Sequence, residues 1–94
     1  MAQLLTAEER ARLSAAHPDW TATDETLERT IEFGDFAEAM GFVTRVGLAA
    51  QALDHHPDID IRWNRVTLRL TTHSAGGLTD GDRALAEQID GFLG

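Results

Sequence analysis

Two stretches, Asp58-Ile59-Asp60-Ile61-Arg62-Trp63 and Val66-Thr67-Leu68-Arg69-Leu70-Thr71, alternate polar and apolar side chains without interruption. Period-two alternation marks a strand that buries one face only, and two such runs separated by a short polar gap predict a hairpin. With Asn64-Arg65 as the turn, Trp63 pairs with Val66, Ile61 with Leu68 and Ile59 with Leu70 on one face. Arg62 then meets Thr67, Asp60 meets Arg69 and Asp58 meets Thr71 on the other. A slip of one residue would carry every apolar side chain to the wrong side, so the pattern resists it. Continued two pairs further, this register sets His56 opposite His73. With His55 alongside, the hairpin is expected to close three imidazoles at its open end.

The remaining elements follow from punctuation and periodicity. Thr6-Ala7-Glu8-Glu9 has capping-box spacing and opens a helix that runs to Ala16, where His17-Pro18 ends it. His17 reads there as a surface residue. Trp20 to Ala22 and Leu27 to Phe33 form a first hairpin around Asp24-Glu25, with Arg29 interrupting its alternation. Gly34 breaks the strand and Asp35 caps a long helix from Phe36 to Leu53, with Glu38 at the reciprocal capping position. In that helix only Glu38, Thr44, Arg45 and Gln51 are clearly polar. So wide an apolar surface exceeds what one sheet-facing side requires, and Gly41, Gly47, Ala49, Ala50 and Ala52 would admit another backbone. A second subunit is expected to cover part of it, giving a homo-oligomer.

Pro57 stops the helix before the second hairpin. Ser74-Ala75-Gly76-Gly77 makes a flexible turn, and Thr79 caps a last helix carrying Asp80 and Asp82 in its first turn. Leu85, Ala86, Ile89, Phe92 and Leu93 form that helix's apolar face. The order helix, hairpin, helix, hairpin, helix predicts one α+β domain over residues 1–94. Its sheet has four antiparallel strands, with the helices packed on one face.

Composition then removes whole classes of function. Sixteen acids stand against eight bases, all arginine, for a net charge of −8. Such a chain has no electrostatic attraction for nucleic acid or anionic membranes, and neither is expected as a partner. The absence of cysteine excludes disulfides, zinc–thiolate sites and thiol nucleophiles. Met1-Ala2-Gln3-Leu4-Leu5 carries neither a basic region nor an apolar run of signal length, and a cytoplasmic protein is expected.

What remains is the histidine group. Imidazole titrates near neutral pH, so His55, His56 and His73 are suited to moving protons in either direction, and Asp54 could orient one ring. A metal site is the main rival. Adjacent histidines point apart along a chain, however, and the spacing lacks the i, i+3 or i, i+4 pairing that brings two rings to one ion on a helix. No metal is expected. Neither a phosphate-binding glycine loop nor a nucleophile elbow is present, and Asp80 and Asp82 read as helix-start charges.

His55-His56-Pro57, the aromatic Trp63, Thr71-Thr72-His73 and Gly77-Leu78-Thr79 with Asp82 resemble the signature of the pterin-4a-carbinolamine dehydratases. The likeness extends from Leu5-Thr6 through Trp20, Phe33 and Phe36-Ala39-Phe42-Val43 to Ala84-Ala86-Ile89-Asp90. It implies an antiparallel sheet with helices on one side, assembled as dimers or tetramers. It also implies loss of water from 4a-hydroxytetrahydrobiopterin to give quinonoid dihydrobiopterin, in tetrahydrobiopterin recycling. That elimination requires proton transfers alone and no cofactor. By the resemblance, His55 and His73 assist departure of the hydroxyl and His56 is the base. Asp54, Thr71, Thr72 and Ser74 fall at positions expected to line the pterin pocket. One position departs from the pattern: many members carry glutamate where this chain has Gln51, an amide that can hydrogen-bond an imidazole or the pterin without adding charge. A second reading, from a different class, is a non-catalytic relative of the RuBisCO assembly-factor type that keeps the fold.

Overall fold

The computed structural model describes residues 2–94, and Met1, the first residue of the start read above, lies outside the described residues. Its elements run α1 (Ala7–Ala16), β1 (Thr21–Ala22), β2 (Leu27–Glu32), α2 (Phe36–Leu53), β3 (Asp58–Arg62), β4 (Arg65–Leu70) and α3 (Asp80–Phe92). The strands form one antiparallel four-stranded sheet in the order β1-β2-β4-β3. The expected α+β class and element order are present.

Local chemistry starts α1 and α2 where the spacing predicts; at α3 the Thr79 N–H donates to Asp82 while the Thr79 hydroxyl turns to Thr72. Thr6 Oγ1 accepts from the Glu9 N–H while the Glu9 carboxylate accepts from the Thr6 N–H, closing the capping box of α1. Asp35 accepts from the Glu38 N–H at the start of α2, and Glu38 reaches back to the Gly34 N–H. The core lies between the sheet and the helices. Leu27 of β2 and Val66, Leu68 and Leu70 of β4 are buried on the inner face, against Ala39, Phe42, Val46 and Ala50 of α2 and Leu85, Ala86 and Ile89 of α3. Arg45, the polar interruption in the middle of α2, stacks its guanidinium 4.4 Å over the Phe92 ring of α3.

The second hairpin forms, in a register two residues from the expected one. Asp58 pairs with Arg69, Ile59 with Leu68, Asp60 with Thr67, Ile61 with Val66 and Arg62 with Arg65. The turn is therefore Trp63-Asn64, with Trp63 in the left-handed region at φ 54°. Asn64 secures it: its side-chain N–H donates to the Phe33 carbonyl, and its own carbonyl accepts from the Phe33 N–H. A shift of two keeps every side chain on its face, so alternation could not distinguish the two registers. The consequences are specific. Trp63 is exposed rather than part of the sheet core, Ile59 on the edge strand is 39% exposed, and the pairing that set His56 opposite His73 does not hold.

Asp90 explains one expectation and overturns another. Arg29 interrupts the alternation of β2 because its guanidinium reaches the Asp90 carboxylate of α3 at 2.7 Å. His17 is no free surface residue: its Nδ1 lies 2.6 Å from the other oxygen of Asp90, and the Trp20 indole N–H donates to that same carboxylate.

Candidate active site

The last turn of α2 delivers the histidines. Asp54 caps the helix in the left-handed conformation, φ 51°, a position that Asp tolerates better than most residues. Its N–H reaches the Ala50 and Gln51 carbonyls, and the His55 N–H reaches Ala50 as well. This cap turns the chain sharply, and the adjacent rings part as their spacing predicts. His55 turns inward, half-buried, toward the N-terminus of α3. His56 stays exposed and folds back on α2, its Nε2 3.1 Å from Gln51 Oε1. The amide of Gln51 thus takes up the imidazole contact expected of it.

The partner of His55 is Asp82, not Asp54. His55 Nε2 lies 2.6 Å from Asp82 Oδ1, and Asp82 is completely buried. The second oxygen, Oδ2, accepts from the Thr72 hydroxyl and from the Thr79 N–H, each at 2.8 Å. Thr72 and Thr79 also share a hydroxyl–hydroxyl bond of 2.7 Å. A carboxylate withdrawn from water needs this many donors to be tolerated, and its place in the first turn of α3 adds the favourable end of the helix dipole. Reading Asp82 as a helix-start charge captures only half of its role. Its neighbour Asp80 fits that reading fully: it is exposed, and its hydrogen bond to Arg83 holds its carboxyl below the ordinary aspartate value. The ring of His55 also lies flat against Gly81, where a Cβ would come within 3.0 Å of Nδ1.

His73 opens the tight turn between Thr72 and Gly77, which are bridged backbone to backbone. It is exposed, and among the described residues its ring has no hydrogen-bond partner. Thr72 itself is buried, with its side chain directed at Asp82. Thr71 instead donates its hydroxyl to the Glu25 carbonyl in the first hairpin, and Ser74 is an exposed turn residue. The structure therefore joins His55, Asp82, Thr72 and Thr79 in one network and His56 with Gln51 in another. His73 is linked to the first network through the backbone of Thr72. Asp82 and Thr79 are members that reasoning on histidines alone passes over; their signals were the Thr-x-x-Asp spacing at the helix start and their place in the family signature.

Among the described residues, no group of three or more histidine or carboxylate side chains stands close enough to hold a metal ion. Two concavities lie elsewhere. One, of about 560 Å³, runs over the open sheet face beside Thr30, Thr67 and Arg69; the other, of about 350 Å³, lies between α1 and the start of α3. None of the three histidines lines either one. No helix among the described residues is long and apolar enough to cross a membrane.

Comparison with known proteins bears on this arrangement. The family model for pterin 4 alpha carbinolamine dehydratase matches residues 3–92. A Chloroflexus aurantiacus protein named "Putative pterin-4-alpha-carbinolamine dehydratase" is 51% identical, with 92% of each chain covered. A Chloroflexus aggregans protein of the same name is 50% identical over the whole of both chains. Among solved structures, a transcriptional coactivator/pterin dehydratase from Brucella melitensis superposes with a TM-score of 0.90 at 36% identity, covering 96% of this chain and 98% of that one. A pterin dehydratase-like RuBisCO assembly factor of the alpha-carboxysome shares the fold at a TM-score of 0.64 and 21% identity, covering 80% and 87%. The chain belongs to the pterin-4-alpha-carbinolamine dehydratase family.

Proposed function

We propose that this chain dehydrates 4a-hydroxytetrahydrobiopterin to quinonoid dihydropterin, in cytoplasmic tetrahydrobiopterin recycling, as a homo-oligomer of a single domain. The reaction removes a hydroxyl from C4a and a proton from the adjacent ring nitrogen, N5. A proton delivered to the departing oxygen makes water of it, and a base takes the N5 proton as the C4a–N5 double bond forms. His55 and His73 serve the hydroxyl and His56 serves as base, with Gln51, Asp54, Thr71, Thr72 and Ser74 around the pterin. Each step is a proton transfer to or from an imidazole, so neither metal nor redox cofactor enters the scheme.

The observation that carries this reading is the His55–Asp82 contact, 2.6 Å long and anchored in a buried network. The two partly free rings suit transient proton exchange: His56 is held only by an uncharged amide, and His73 by nothing among the described residues.

Stopped-flow dehydration of synthetic 4a-hydroxytetrahydrobiopterin tests it. His56→Ala and His73→Ala should each slow the wild-type reaction about a hundredfold or more, the scale of general acid–base catalysis. A wild type no faster than buffer would remove the enzyme reading and leave the non-catalytic assembly protein.

A further inference from the structure

Thr72 is the residue through which both arms of the candidate site are connected. Its hydroxyl contacts Asp82 Oδ2 at 2.8 Å and Thr79 Oγ1 at 2.7 Å. Its backbone holds the turn that carries His73: its N–H donates to the Gly77 carbonyl, and its own carbonyl accepts from the Ala75 and Gly76 N–H groups, all three at 3.0 Å. The proton order in this chain of groups is determined by chemistry. An ionised carboxylate accepts only, so Thr72 Oγ1–H must donate to Asp82, and Thr79 Oγ1–H must then donate to Thr72. Oδ2 is thereby occupied twice, by Thr72 and by the Thr79 N–H, which leaves Oδ1 for His55. With Asp82 ionised Oδ1 also only accepts, so Nε2 of His55 carries a proton toward it.

We infer that Thr72 is a positioning residue for the proposed dehydration. Its hydroxyl aims Asp82 at His55 while its backbone anchors His73, so one buried threonine sets the two rings relative to each other. The pterin is not required to touch the Thr72 side chain, which is turned away from solvent. This inference rests on the dehydratase reading for its kinetic part alone; the placement of the His55 proton stands apart from it.

Thr72→Val keeps the shape, removes the hydroxyl, and leaves Asp82 with one donor fewer. Thr72→Ser restores the hydroxyl. In the wild type, proton–nitrogen NMR should show a His55 Nε2–H protected from solvent exchange. In Thr72→Val that protection should be lost and turnover should fall about tenfold with KM little changed, as expected for one hydrogen bond to a charged group. Thr72→Ser should recover both. A protected His55 proton in Thr72→Val would overturn the inference, and so would Thr72→Ser failing to recover it. Should Thr72→Val not fold, Thr72→Ser alone decides, since losing the protected proton with the hydroxyl retained contradicts the proposed role. An inactive wild type whose protected proton is lost in Thr72→Val and recovered in Thr72→Ser would remove the reaction and leave the positioning intact.

Discussion

Two aspartates on α3 each hold a histidine at 2.6 Å, yet their surroundings give them different work. Asp90, at the C-terminal end, accepts from Arg29 and Trp20 as well as contacting His17, so a permanent cation accompanies it. It ties the end of α1, strand β2 and α3 together, and none of its partners belongs to the candidate site. Asp82 has no arginine; its partners are hydroxyl, backbone N–H and His55. The two should separate in experiment. Asp90→Ala is expected to cost about 2–3 kcal/mol of stability, the scale of hydrogen bonds to a charged group, with the rate of dehydration unchanged where the protein stays folded. Asp82→Asn is expected to cost roughly 3 kcal/mol or more, because it turns an amide donor toward groups that already donate, and to abolish most of the activity as well. Urea midpoints and single-turnover rates on both variants check this; equal rate losses would show that Asp90 belongs to the site. Asp82 was legible beforehand as a helix-start charge and a member of the signature, but neither aspartate's hold on a histidine was. His17 and Asp90 lie 73 positions apart, and nothing local to His17-Pro18 signals a partner at that distance.

At the scale of elements, what could be read from the chain was whatever local chemistry decides. Caps at Thr6 and Asp35 depend on neighbours within a few positions and stand where expected, whereas the left-handed cap at Asp54 ends α2 before Pro57 is reached. The hairpin register depends on its turn. Alternation specifies parity but cannot choose between registers two residues apart, and Trp63 is an unlikely sequence cue for a left-handed turn position. Trp63 is 66% exposed at φ 54°, a conformation that costs an L residue about 1–2 kcal/mol. Trp63→Gly removes that strain at an entropic cost of roughly 0.5–1 kcal/mol. Denaturant unfolding should place the variant level with wild type or about 1 kcal/mol above it. A clear loss would mean that packing, rather than the turn, holds Trp63. The cap of α1 makes a prediction in pH. Its hydrogen bonds with Thr6, the backbone one first, lower the Glu9 carboxyl below its ordinary value. A lowered folded-state value adds stability that is present above the unfolded-state value and is lost as pH falls through the folded one. Glu9→Gln should therefore flatten the acid side of the stability–pH curve and leave its neutral-to-basic slope alone.

For the molecule as a whole, the sheet's inner face and the buried sides of α2 and α3 complete one core, and that much follows from hydrophobic period alone. The outer side of α2 is left over. Phe36, Met40 and Leu48 are 47%, 38% and 69% exposed along it, and a Cβ on Gly41 or Gly47 would meet nothing within 4 Å. Leu48 points away from Ala39, Phe42, Val46 and Ala50, which the core already occupies, so no rearrangement within one chain can bury it without unpacking them. A second copy presenting the same helix fits such a face, because the glycines let backbones approach and the same patch serves both partners. Leu48→Glu tests the proposed assembly without touching the core. Burying one leucine contributes about 1.5–3 kcal/mol, and a twofold contact counts it twice, so a charge there should weaken association by roughly a hundredfold or more. Light scattering at micromolar concentration should give more than one chain for wild type and a single chain for Leu48→Glu, with unchanged helical circular dichroism. A monomeric wild type would leave this apolar surface without a partner of its own kind and end the case for self-association.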